Sequence, residues 1–222
     1  MNTDSLFPNL TIVNLLNDFH QNEFDVSTID NYMVSYHAFL NYFKIIADRK
    51  GEIRKDDLII GINFTYGWMP TIFSFKNDDF DYPLHILNQV QQGAIIGIKE
   101  FNALKSLFNN SIVGTSKLLH FINPEQYAIW DSRVCRFATG RNNVYQSQVN
   151  NTEYFNRYLN LSRLLSSEPL FEYEIYQPFC KKLNEYQQKT IPVTPLRVLE
   201  LLLFLMDIKK YGRNNKVIAV VE

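Results

Sequence analysis

Between Ser27 and Lys50 the apolar residues Tyr32, Tyr36, Phe39, Phe43 and Ile46 recur at intervals of three and four, and Gly51 closes the run. That spacing predicts a helix with one aromatic face, with Ser27 or Thr28 offering its N-cap. No stretch before Lys216 alternates polar with apolar residues, which removes the pattern a half-buried sheet requires. The chain is therefore expected to be mostly α, a compact helical domain with at most minor strand content.

Further helices are expected near Thr11–His20, Arg54–Phe64, Leu84–Gln92, Lys99–Phe108, Glu153–Leu165 and Phe171–Gln188. A last one runs from Pro195, at the first helical position behind Thr194, to about Tyr211. Gly67 and Pro70 break the pattern at TYGWMP, residues 65–70, and FSFKNDDFDYP, 73–83, reads as a polar loop. An Asn/Gln-rich connection spans Gly140 to Asn151, and KVIAVV, 216–221, is the strand candidate. At 222 residues without a linker-like segment, one domain is expected, or two helical lobes with a cleft near 113–133.

The balance of 22 basic against 23 acidic residues argues against a protein that coats nucleic acid by bulk attraction, while leaving room for a local basic groove. Arg133, Arg136 and Arg141 lie together, as do Lys209, Lys210, Arg213 and Lys216. Two distant cysteines, Cys135 and Cys180, give neither a disulfide framework nor a zinc spacing, and the cytoplasm is the expected compartment. No secretory signal is visible at the N-terminus. The longest apolar run, VLELLLFLM at 198–206, contains Glu200 and is too short to span a bilayer, so no membrane is expected. The single histidines 20, 37, 85 and 120 show no metal-ligand spacing, and no nucleophile-elbow, phosphate-loop or dinucleotide glycine pattern occurs.

The most specific stretch is VGTSKLLHFINPEQYAIWDSR, residues 113–133. Val113, Gly114, Thr115 and Ser116 are expected to form a tight turn whose N–H groups face a phosphate at a helix N-terminus. Lys117 then falls in the first helical turn, where the positive helix end and burial both favour the neutral amine that a lysine nucleophile needs. Pro124 ends the helix, and Asp131 arrives at the start of the next one, either as a simple N-cap or as a carboxylate serving the lysine. Arg133 and Arg136 share a helix face, as solvated arginines or as phosphate contacts. Tyr66, Trp68 and Met69 either plug the core edge or wall a pocket for a flat ring.

The run V-G-T-S-K-L-L, with an aspartate after a short hydrophobic return, resembles the helix-hairpin-helix DNA glycosylases, in particular their lysine-bearing 8-oxoguanine glycosylase branch. It departs from that family's pattern in having Ile112 where a second glycine is usual, in placing Lys117 one residue later, and in a shorter interval to Asp131. The resemblance implies a helix-hairpin-helix element in which Gly114 holds a DNA phosphate, Lys117 attacks the sugar and Asp131 stabilises the developing charge. It implies double-stranded DNA with a damaged or modified base as partner, phosphate contacts from Gly114, Thr115, Ser116, Arg133 and Arg136, and a base pocket at Tyr66, Trp68 and Met69. No metal or organic cofactor is then required. The rival expectation is a non-catalytic helical module that binds DNA or protein in DNA processing or phage defence.

Overall fold

The structure, a computed structural model, describes residues 4–67 and 79–212, which form α-helices and connecting turns without a β-strand. The strand candidate 216–221 lies outside the described residues. The chain divides into two compact units: Ile29–Ile129, and a second made of residues up to Thr28 together with those from Trp130.

The unit Ile29–Ile129 holds α2 (Asp30–Lys50), α3 (Lys55–Gly67), α4 (Asp81–Gln91), α5 (Ile98–Ser106) and α6 (Ile112–Ile122), numbered after α1 (Ile12–Gln21) of the other unit. The expected aromatic face of α2 is there from Tyr36 onward, while the Tyr32 side chain lies outside the described residues. Phe39 stacks on Phe64 of α3 at 4.4 Å, Phe43 meets Phe64 edge-on at 5.9 Å, and Phe39 meets Phe121 of α6 at 5.2 Å. Helix α6 packs against α2, α3, α4 and α5. Of its eleven residues only Val113 and Ile122 escape full burial, as expected for a helix apolar nearly all round.

Two glycines permit this close packing. A Cβ on Gly61 would lie 2.7 Å from Phe43 Cζ and 3.1 Å from Leu118 Cδ1, and one on Gly114 would lie 2.6 Å from Phe108 Cδ1. Gly51 closes α2 in the left-handed region, as its position predicts. Helix α3 continues past Phe64 through Gly67, because Tyr66 packs flat against Phe108 and its hydroxyl donates to the Phe108 carbonyl at 2.8 Å. Pro83 sits in the first turn of α4, where it removes no helical hydrogen bond.

The other unit holds α1, then α7 (Ser132–Thr139), α8 (Gln146–Val149), α9 (Thr152–Ser166), α10 (Pro169–Phe171), a π-helical turn at Glu172–Tyr176, α11 (Gln177–Gln187) and α12 (Pro195–Tyr211). Helix α12 packs against α7, α9 and the π-turn. Thr194 caps it, accepting from Arg197 N–H, with Pro195 at its start as predicted. Glu200, the charge inside the apolar run, is buried and paired with Arg197 one turn back. Trp130 is fully buried between Phe7 and Tyr158, and its indole N–H donates to the Val149 carbonyl at 2.8 Å.

Candidate functional site

Helix α6 begins earlier than the sequence predicts. Ser111 is its N-cap, accepting from Gly114 N–H at 3.3 Å, while the Ser111 carbonyl accepts from Thr115 N–H at 3.2 Å. The expected turn at 113–116 is therefore helix, and Ser111 rather than a phosphate takes the Gly114 and Thr115 N–H groups. The Thr115 hydroxyl donates to the Ser111 carbonyl and the Ser116 hydroxyl to the Val113 carbonyl, so both turn back along the helix. Gly114 has no left-handed backbone, and its small size serves contact with Phe108 instead.

This register moves Lys117 from the first turn to mid-helix, beyond the reach of the terminal dipole. Its burial is the more telling property. Lys117 is only 9% exposed, on the most enclosed helix of its unit, although lysine is among the residues least often buried. One turn on, His120 is fully buried. Its Nδ1 lies 2.5 Å from the Tyr127 carbonyl and its Nε2 lies 2.8 Å from the Tyr36 hydroxyl. A carbonyl only accepts, so Nδ1 carries the proton and, in the neutral ring, Nε2 accepts from Tyr36. His120 thus ties α6 both to α2 and to the return that follows Pro124.

Asp131 belongs to the other unit and is the N-cap of α7. One oxygen, Oδ1, accepts from both Arg133 N–H and Val134 N–H at 2.9 Å. The second oxygen has no hydrogen-bond partner among the described residues, and the side chain is half-buried. The capping role is thus filled by half of the carboxylate.

Arg133 and Arg136 do share a face of α7, and that face meets α12. The Arg136 guanidinium grips Asp207 in a two-pronged contact, with Nε donating to Oδ1 at 2.7 Å and the terminal nitrogen to Oδ2. Arg133 donates to the same Oδ2 at 3.2 Å and to the Gly212 carbonyl at 3.2 Å. Rings complete the cluster, with Phe204 under Arg133 and Tyr211 under Arg136. Burial pushes the Asp207 carboxyl up from its ordinary value, and the two arginines pull against that shift. Arg136 is 2% exposed, whereas the Arg133 side chain keeps 20% of its surface open.

Tyr66 is a core residue, 6% exposed, and burial pushes its phenol up to about 12. Trp68 and Met69 lie outside the described residues. Among the described residues, no three His, Cys, Asp or Glu side chains gather as a metal site would require, and no helix is long and apolar enough to cross a membrane. A groove of about 540 Å³ opens along α11, between Tyr176, Cys180 and Asn184 on one side and the extended segment 190–193 on the other. Asp207 and Tyr127 were not marked out by the sequence, and Tyr36 was marked only as part of the aromatic face of α2. Each sits in an ordinary helical or turn context, and only the fold brings it to its partner.

Comparison with known protein families, curated proteins and solved structures finds no match to this chain.

Proposed function

We propose that this chain is a DNA glycosylase with lyase capacity, in which the Lys117 amine is the nucleophile. The observation that carries the reading is Lys117 itself, a lysine only 9% exposed on the most enclosed helix of its unit. The resemblance assigns the charge-stabilising role to Asp131, whose Oδ2 its capping of α7 leaves open.

In the proposed reaction the neutral amine forms a bond to C1′ of the sugar as the bond between C1′ and the base breaks. The base leaves with that electron pair and takes up a proton. The nitrogen gives up both of its protons, one in balance with the proton the base takes up and one to the ring oxygen O4′ as the C1′–O4′ bond breaks, and its lone pair closes the C1′=N imine. A carboxylate in such a reaction favours the cationic sugar as it forms, through attraction to the developing charge. An enzyme of this kind has to draw its target base out of the stack.

A second reading, a helical DNA- or protein-binding module without catalysis, is favoured by one set of observations. The Thr115 and Ser116 hydroxyls and the Arg136 guanidinium, all expected on phosphates, are engaged inside the protein.

Borohydride trapping on an oligonucleotide with an abasic site separates the two. The glycosylase reading expects a covalent adduct that disappears in Lys117→Ala, and base release from modified duplex that falls at least a hundredfold in the same variant. DNA binding with neither adduct nor base release would leave the non-catalytic module.

A further inference from the structure

Asp131 is held by a chain of bonds that begins on another helix. Asp207, near the end of α12, is fully buried, and its Oδ2 accepts from the Arg133 guanidinium at 3.2 Å. The backbone N–H of that same Arg133 donates to Asp131 Oδ1 at 2.9 Å, with Val134 N–H beside it at 2.9 Å. Arg133 alone therefore separates Asp207 from the carboxylate that caps α7. Arg136 repeats the grip one turn on, through Nε to Asp207 Oδ1 at 2.7 Å and its terminal nitrogen to Oδ2. On the near side of Asp131, Trp130 is fully buried with its indole N–H fixed on the Val149 carbonyl at 2.8 Å.

Helix α7 needs such a hold. It has 8 residues, and a helix shorter than about 12 residues is marginal by itself and frays from its ends. The direction of the Asp131 carboxylate is set by N–H groups of the first turn, so fraying there swings Oδ2 as well. An apolar contact could join α7 to α12 with no less stability, but it would tolerate rotation and sliding. A buried carboxylate gripped from two positions of α7 does not, because any such movement leaves charged groups unpaired in a dry setting.

We propose that Asp207 is a positioning residue for Asp131: through Arg133 it fixes the first turn of α7 and with it the direction of the open Oδ2. The proposal rests on the DNA glycosylase reading for its reaction, and it adds a residue that touches no substrate. It carries a signature of its own. Asp131 acts while the bond between C1′ and the base breaks and positive charge grows on the sugar. On a preformed abasic site there is no base to leave; the Lys117 amine adds to the aldehyde carbon, water departs, and borohydride reduces the imine to a stable amine. Loss of Asp207 is therefore expected to slow base release and to spare trapping.

The test uses the full chain under single turnover. Duplexes carrying 8-oxoguanine, uracil or 3-methyladenine report base release, the same duplex with a preformed abasic site reports borohydride trapping, and anisotropy gives affinity. Asp207→Asn keeps the side-chain shape and removes the charge. At a temperature where its helical signal matches wild type, its base release is expected to be about a hundredfold slower, the effect of a misplaced reacting group. Its trapping rate and affinity are expected to stay within about twofold of wild type. Arg133→Leu cuts the link while leaving the Arg136 pair; at saturating protein it gives the same division, and it carries the test if Asp207→Asn does not fold. Glu200→Gln, which removes a buried charge of the same helix whose partner is Arg197 of α12 itself, is expected to keep wild-type base release. Equal slowing of release and trapping, or wild-type release in both variants, overturns the positioning role and leaves the glycosylase reading standing. A wild-type protein that releases no base from any of these duplexes overturns both.

Discussion

Gly114 and the two cysteines show how single positions are fixed by what surrounds them. An added methyl at Gly114 would press on the Phe108 ring from 2.6 Å, and Phe108 is itself fully buried and stacked on Tyr66. Gly114→Ala is therefore expected to destabilise the fold by about 1–3 kcal/mol despite alanine's better helix propensity, read as a lower urea midpoint with an unchanged slope. A midpoint at or above wild type would mean that Phe108 can move aside. The cysteines differ in access. Cys135 is buried, and burial first, then the Asp131 charge, pushes its thiol up to about 12. Cys180 is half-buried at the groove along α11. A thiol reagent on the native protein is expected to modify Cys180 alone, with Cys135 reacting only at the rate of unfolding. Modification of both at one rate in the folded protein would contradict this.

At the level of elements, α7 and α12 are joined by a charge cluster rather than by apolar contact alone. Asp207 is fully buried and receives both arginines of α7. Removing the carboxylate leaves two guanidinium groups facing each other in a dry setting, so Asp207→Ala is expected to cost about 3–5 kcal/mol and to release amide exchange in α12. An Asp207→Ala, Arg136→Leu pair should recover part of that loss. A double variant no more stable than the single one would show that the arginines gain nothing from Asp207. The legibility of these elements in the sequence divides along the same line. Helices α2 and α12 could be read directly, because an aromatic stripe at three- and four-residue spacing and a Thr-Pro start are local signals. The start of α6 could not. Val-Gly-Thr-Ser has the composition of a turn, and it is the Ser111 cap and the packing of Gly114 on Phe108 that draw it into the helix. Similarly, Lys117 and Asp131 could be picked out as residue types in order, but not the depth of the lysine nor the division of the carboxylate between cap and open oxygen. Those depend on side chains distant in sequence.

On the scale of the whole molecule, each unit holds hydroxyl or thiol groups whose ionisation the fold opposes. In the unit 29–129, burial pushes Tyr66 up to about 12, and burial together with the neighbouring Asp57 carboxylate does the same for Tyr42. In the other unit, burial raises Cys135 to about 12 and carries Tyr158 well above its ordinary 10.0. All four shifts have one sign. In the unfolded chain these groups ionise near 9.0 for the thiol and 10.0 for the phenols, whereas in the folded protein they retain their protons. The stability they contribute is complete below the unfolded values and is lost as pH rises from there towards about 12, since alkali then draws protons from the unfolded state first. The urea midpoint is therefore expected to fall steadily from about pH 9 upward, with tyrosinate absorbance from the buried Tyr66 and Tyr158 appearing together with the loss of helical signal rather than before it. Because the protonated groups occupy both units, α6 and α12 should lose amide protection over the same alkaline range. Ionisation of these tyrosines ahead of unfolding, or a midpoint flat to pH about 11, would show that water reaches the phenols in the folded state.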